Sequence, residues 1–297
     1  MTAGEKGFLL LTGYLGDPER KPLTVAQFRD LTTRVRAMER PEGDRDLTEA
    51  DLLAIGCDKA AARRVLQLLD QRELLDWYLE RGKHEGCRPL TRISTHYPGR
   101  FHKALGLDAP GTLWAKGNLE LLGLGKISLV GSRDLKPDNL AFAEEIGKQA
   151  ALQGYVLVSG NARGADRTAQ DSCLAHGGCV ISIVADRLMD HPLRERVLYL
   201  SEDGYDLEFS ARRALKRNRL IHALSEQVFV AQCNYGKGGT WDGSRNNLRH
   251  GWSHLFCFRD GSKGITELEQ MGATCIQMSA LTDFSALQPD MMNFIDQ

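Results

Sequence analysis

Two hydrophobic periods run along this chain, and the change from one to the other divides it near residue 88. Before that point, apolar residues recur three and four apart. Val25, Phe28, Leu31 and Val35 form one set; Ala61, Val65, Leu68, Leu69, Leu75, Tyr78 and Leu79 form another. Such spacing puts them on one face of amphipathic helices. Thr24 with Gln27, and Thr48 with Asp51, stand where a capping box opens a helix. The pattern predicts a small helical module over 1–88, with one long helix over 58–80 and no strand.

Beyond residue 88 the pattern changes to short β-branched runs bounded by glycine. Ile127–Val130 and Tyr155–Val158 are two such runs, and between them Leu140, Ala143, Ile146, Ala150 and Ala151 keep a helical spacing. Strands are predicted again at Cys179–Val184, Val197–Leu200, Gln227–Ala231, His254–Phe258 and Thr274–Met278. Helices are predicted at Asp166–His176, at Ala211–Leu224, after the glycine turn Tyr235–Thr240, and around Thr266–Met271. Leu113-Trp114-Ala115 reads as a short strand on the edge of the sheet. Strands alternating with helices over this length imply an α/β fold: a doubly wound, mostly parallel, Rossmann-like sheet, preceded by the small N-terminal helical domain. The expected domains are 1–88, 89–283 and a short tail, 284–297.

Parallel strands joined by helices put their βα turns at the carboxyl edge of the sheet, where such folds hold ligands. The first turn is Gly131-Ser132-Arg133, and the second runs from Ser159 and Gly160 through Asn161, Ala162 and Arg163 to Gly164. Glycines let backbone N–H groups approach phosphate oxygens, and each turn adds an arginine. Neither turn fits G-x-G-x-x-G or the P-loop pattern, which disfavours a plain dinucleotide or NTPase site. The segment Arg212–Arg219 holds five cations in eight residues, with no acidic residue between Ser210 and Ser225.

Composition narrows the picture. The 297 residues carry a net charge of −1, with a pI near 6.7. A nucleic-acid partner therefore requires its basic residues gathered into a patch. Seven cysteines, an odd number without a C-x-x-C pair, do not suit a disulfide framework. With no apolar run approaching 18 residues and no secretory leader, a soluble cytoplasmic protein without a membrane partner is expected. No metal-ligand spacing, nucleophile elbow or Ser-His-Asp order is visible, so no catalytic residue, metal or cofactor is assigned.

The order of these motifs resembles the DNA-processing protein A (DprA/Smf) family. The matching runs are Val130-Gly131-Ser132-Arg133, Ser159-Gly160-x-Ala162-Arg163-Gly164-x-Asp166, Ser201-Glu202 and Arg217-Asn218-Arg219-Leu220-Ile221. Upstream, His96-Tyr97-Pro98 and Leu113–Gly117 are similar to that family's lead-in; downstream, Gly238-Gly239-Thr240-Trp241 is similar to its small-residue phosphate loop. The resemblance covers about 90–280. It implies single-stranded DNA binding in a basic pocket, dimerisation, and loading of a RecA-type recombinase in DNA recombination and natural transformation. The residues expected to hold DNA phosphates are Gly131, Ser132, Arg133, Ser159, Gly160, Arg163, Gly164, Asp166, Lys216, Arg217, Asn218, Arg219, Gly238, Gly239 and Thr240. Tyr235 and Trp241 are candidates to stack bases, and Trp241 reads equally well as core.

The alternative is a nucleotide-binding sensor or nucleotide-processing enzyme of the same superfamily, with antiphage defence among its settings. Asp166, Glu202 and Asp242 would then be its acid/base candidates. The phosphoribohydrolase loop P-G-G-x-G-T-x-x-E, however, lacks its glutamate here.

Overall fold

A computed structural model describes residues 1–17, 19–38 and 46–287. Among the described residues the chain opens with helices α1 (Ala3–Thr12), α2 (Val25–Ala37) and α3 (Glu49–Ala54), each started by a threonine in a capping box. Two of these boxes are the ones read from the sequence.

The long helix expected over 58–80 is instead two, α4 (Lys59–Leu69) and α5 (Arg72–His84). The break at Asp70-Gln71 follows from their targets. Ala62, Val65 and Leu68 pack inside the module with Leu11, Leu23, Leu31 and Leu52. Leu75 and Tyr78 instead join the core of the sheet. One straight helix cannot face both.

The elements that follow are β1 (Cys87–Thr91), α6 (Gly99–Leu105), β2 (Thr112–Gly117), β3 (Lys126–Val130), α7 (Pro137–Leu152) and β4 (Val156–Ser159). Next come α8 (Ala165–Ala175), β5 (Val180–Ile183), β6 (Val197–Glu202), α9 (Ala211–Leu224) and β7 (Gln227–Val230). The chain continues through α10 (Gly238–His250), β8 (His254–Phe258), α11 (Lys263–Gln270) and β9 (Thr274–Ile276).

The nine strands of the described residues form one sheet in the order β1-β2-β6-β5-β4-β3-β7-β8-β9. From β6 to β9 every neighbouring pair is parallel, while β2 runs antiparallel to both β6 and β1. The mostly parallel, doubly wound sheet is thus observed, with its direction of winding reversing between β3 and β7. Two expectations are corrected. Leu113–Ala115 does not lie on the edge, because β1 covers it. The segment up to residue 88 also enters a strand, as Cys87 and Arg88 begin β1. Pro89 hides that strand from a sequence reading, since a residue without N–H fits a sheet only on an edge, where β1 lies.

Consecutive residues of the central strands go to opposite faces, and both faces are buried. Ile127, Leu129, Leu157, Val180, Phe229 and Phe256 pack under α7 and α8. Val130, Val156, Val158, Ile181, Ile183, Val228 and Val230 pack under α9 and α10. The expected tail boundary falls within packed structure: Phe284 is fully buried against Tyr155 and Phe229. The rest of that expected tail, 288–297, lies outside the described residues. No helix among the described residues is long and apolar enough to cross a membrane.

Candidate functional site

Helix α9 starts at Ser210, whose hydroxyl accepts the Arg213 N–H (3.1 Å). Its five cations look like one cluster in the sequence, but a helix turns about 100° per residue and distributes them. Arg213 faces the loop before the helix and donates to the carbonyls of Ala185, Leu207 and Glu208, each at 2.8 Å. Lys216 and Arg219 face one flank and Arg217 faces another. Arg212 is exposed.

The Arg217 flank opens on a cleft of about 440 Å³ at the carboxyl ends of β4 and β5. It is lined by Arg133, Gly160, Asn161, Arg163, Asp186, Phe209 and Arg217, among others. Arg217 forms the floor: its side chain is almost wholly buried and donates to the Ile183 carbonyl (2.7 Å). Its Nε is buried without an acceptor.

Gly160 is wedged between Arg217 and Asp166, and a Cβ there would collide with the guanidinium and lie 2.6 Å from the Asp166 carboxylate. The same carboxylate accepts the N–H groups of Gly160 (3.1 Å) and Ala162 (3.3 Å), fixing the turn around Asn161. Asn161 adopts φ 61°, a left-handed conformation that asparagine tolerates.

Burial pushes the Asp166 carboxyl up, against the opposing pull of Arg217 and the turn amides. Burial likewise lowers the Arg217 pKa, against Asp166 and Asp186. Burial thus disfavours the charged form of both groups.

At the rim, Arg133 is exposed and makes no ion pair or hydrogen bond among the described residues. Arg163 is exposed too and reaches Asp134 at 2.7 Å. Phe209, 56% exposed, contributes the apolar wall.

The opposite flank differs. Arg219 donates to both oxygens of Glu202, at 2.9 and 2.7 Å. Lys216 bridges Glu202 (3.1 Å) and Asp203 (2.9 Å). Burial pushes the Glu202 carboxyl up, but the hydrogen bonds and charges of Arg219 and Lys216 outweigh it and hold it below the ordinary range. These residues border a larger cleft of about 620 Å³ against the start of α2. Its cations are already neutralised.

The remaining sequence candidates are scaffold or lie elsewhere. A Cβ on Gly131 would press on Ala165 at 2.5 Å, so this glycine lets α8 approach the sheet. The Ser132 N–H is engaged by the Gln232 carbonyl (3.1 Å), and Gln232 also ties Lys136 and Asp134, bridging the β3 and β7 turns. Ser159 is buried and accepts from Gln170 (2.5 Å) rather than facing the cleft. Gly164 takes φ 86°, with its α-carbon against the Ser132 and Arg133 carbonyls.

Asn218, Gly238, Gly239 and Thr240 do not line the Arg217 cleft; Asn218 donates to the Gly239 carbonyl (3.1 Å), pinning α10 to α9. Trp241 is buried core, edge-on to Tyr235, whose ring carries the Lys263 ammonium at 4.1 Å. Asp166, Glu202 and Asp242 do not converge: the first lies behind Gly160, the second is locked by Arg219, and Asp242 is exposed on α10. Phe209 was not anticipated; the signal available was a lone aromatic, Glu208-Phe209-Ser210, in a polar stretch just before a helix cap.

Fold and site together define an open, doubly wound α/β protein with a cation-lined cleft at the carboxyl edge of its sheet. Residues 88–283 match the model of the DNA recombination-mediator protein A family, and the chain belongs to that family. It is 30% identical over 162 residues to DNA processing protein DprA of Bacillus subtilis, covering 50% of this chain and 54% of that protein. To DprA of Streptococcus pneumoniae it is 32% identical over 142 residues, covering 44% of this chain and 50% of that one. The chain thus spans about half the length of these curated relatives.

The X-ray structure of the S. pneumoniae protein superposes with a TM-score of 0.68 at 24% identity, covering 93% of this chain and 95% of that one, a likeness of fold. A structure of DNA processing protein A from Helicobacter pylori, described for its single-stranded DNA binding mode, gives a TM-score of 0.56 at 26% identity. It covers 66% of this chain and 94% of that one.

Proposed function

We propose that the chain binds single-stranded DNA without chemical turnover, seating a backbone phosphate in the cleft between Arg217, Arg133 and Arg163. The observation that carries this is Arg217: a buried guanidinium, its Nε without an acceptor, in the lining of a cleft whose rim holds Arg133, unpaired among the described residues. An anion entering there is drawn by a buried positive charge, and each hydrogen bond it makes to a charged group is worth about 1.5–3 kcal/mol. Phe209 supplies a stacking face for the adjoining base. An open cleft of phosphate donors with one aromatic wall grips a strand without reading its sequence.

The family supports a role in DNA processing, and the H. pylori relative supports single strands as the substrate. Recombination or transformation through a RecA-type recombinase, and action as a homodimer, extend the same reading. The division into 1–88 and 89–283 is proposed on the same footing, with Cys87 and Arg88 as the seam.

Fluorescence anisotropy with oligo-dT and a matched duplex tests the proposal. Oligo-dT binds far better, and log affinity falls by about 0.7 per log unit of salt for each phosphate held. Arg133→Ala weakens binding about tenfold, while Arg34→Ala, on α2, changes little. Equal affinity for duplex, a flat salt profile or an unaffected Arg133→Ala variant overturns it.

A further inference from the structure

The loop between β6 and α9 carries Phe209, yet it is held from outside the sheet domain. Tyr205 stacks on Tyr78 of α5, with centroids 4.5 Å apart and rings 28° from parallel. Its hydroxyl donates to the Tyr78 carbonyl (3.0 Å). The next residue, Asp206, accepts the Tyr78 hydroxyl at 2.7 Å and pairs with Arg81, also on α5, at 3.2 Å. Its side chain is only 12% exposed. The turn between α1 and α2 closes over it, since a Cβ on Gly16 would lie 3.1 Å from its carboxylate. Downstream, Arg213 holds the carbonyls of Leu207 and Glu208.

Phe209 therefore leaves a short segment pinned at both ends, one of them by the N-terminal helices. Its ring, more than half exposed, is packed into no core. A ring on a free loop loses its orientation; a ring on a pinned loop keeps it, and preorganisation of this kind strengthens binding without a new contact.

We infer that Asp206, fixed by Tyr78 and Arg81, is a positioning residue that makes the N-terminal module part of the DNA cleft by aiming Phe209 at the base beside the bound phosphate. The inference rests on the single-strand reading above and adds to it a function for α5. Substrate contact stays with Phe209, and Asp206 acts through it.

The test separates base from backbone. Affinity is measured for oligo-dT and for an abasic oligonucleotide of equal length, with the full chain as wild type, Phe209→Ala, Asp206→Asn, Tyr78→Phe and the Phe209→Ala/Asp206→Asn double variant. Melting temperatures are recorded alongside. Phe209→Ala lowers dT affinity about fivefold or more and leaves abasic affinity unchanged, as loss of one stacked base requires. Asp206→Asn and Tyr78→Phe reduce the same dT-to-abasic ratio, leave the salt slope intact, and add nothing in the double variant.

A merely structural role moves both ligands together. Tyr78→Phe, which deletes one hydroxyl, keeps the test sound if Asp206→Asn melts early. An unchanged ratio in Asp206→Asn and Tyr78→Phe, with Phe209→Ala still effective, overturns the positioning role alone. An unchanged ratio in Phe209→Ala overturns it at the platform, while salt-dependent, Arg133-dependent binding keeps the single-strand reading standing. Absence of any oligo-dT binding overturns both.

Discussion

Helix α9 places arginine on two flanks, and the strand end opposite each flank decides what the arginine does. Arg219 meets Glu202, the last residue of β6, and forms a two-oxygen ion pair that also recruits Lys216. Arg217, two residues earlier, meets the turn after β4, where Gly160, having no side chain, lets the guanidinium and the Asp166 carboxylate both pack against it. No ion pair to Arg217 is present among the described residues. One flank is a closed network that braces the helix; the other leaves a buried guanidinium with one donor unsatisfied, in the lining of a cleft. Net charge within a segment says little about binding. The charge left over after neighbouring strands have answered it says more.

The largest expected effects come from exchanging the two flanks. Arg217→Ala removes the floor of the cleft and the bond to the Ile183 carbonyl. It should cost about a hundredfold in oligo-dT affinity and about 2 kcal/mol in stability. Arg219→Ala should do the reverse: about 3 kcal/mol of stability is lost because Glu202 stays buried without its main partner, while affinity changes less than about threefold. Urea unfolding and anisotropy on both variants measure this crossed pattern. Equal loss of binding in both variants would merge the two flanks into one site.

The sheet was largely legible in the sequence because its strands are short apolar runs alternating with helical spacings, and at β3 and β4 a small-residue glycine turn marks where the run ends. The places of Arg133 and Gly160 at strand ends were legible for the same reason, whereas Arg217 was picked out by the run of cations within α9. The pairing of Glu202 with Arg219 was not, since it depends on β6 and the start of α9 being brought side by side by a loop of no regular period. Phe209 lies in that loop, where no periodicity marks an aromatic as exposed or buried. The break between α4 and α5 was hidden by a hydrophobic stripe that continues through it, although each half packs against a different partner.

A pH titration sharpens the contrast between flanks. Burial raises the Asp166 carboxyl, so it takes up a proton earlier on acidification than in the unfolded chain. Its stability contribution is therefore full below its unfolded pKa and lost as pH rises through the raised folded value. Protonation also removes the negative charge nearest Arg217. Asp186, on the cleft wall, stays ionised, because the hydrogen bond from His191 lowers its pKa against burial. Oligo-dT affinity should rise on acidification towards the folded pKa of Asp166, by roughly threefold, within the tenfold that one pKa unit represents. Asp166→Asn should bind at the acid-limit affinity throughout and show no such rise. A wild-type profile retained in Asp166→Asn would assign the effect to another group.

The smallest effect concerns Arg163, which shares the cleft with Arg217 but not its burial. Its side chain is 76% exposed and pairs at 2.7 Å with Asp134, itself 87% exposed. An exposed pair is worth about 0–1 kcal/mol and is screened by salt, so this arginine is neither locked like Arg219 nor unsatisfied like Arg217. A phosphate competes with Asp134 for it at little net gain. Arg163→Ala should therefore weaken oligo-dT binding only about twofold at low salt, with no change in melting temperature. Asp134→Asn, which frees Arg163, should strengthen binding by a similar factor, and both differences should vanish near 1 M salt, where the Debye length shrinks to about 3 Å. A tenfold loss in Arg163→Ala would mean that the rim closes over the bound strand and buries this arginine too, so that desolvation on binding, rather than burial in the free protein, sets which flank holds DNA.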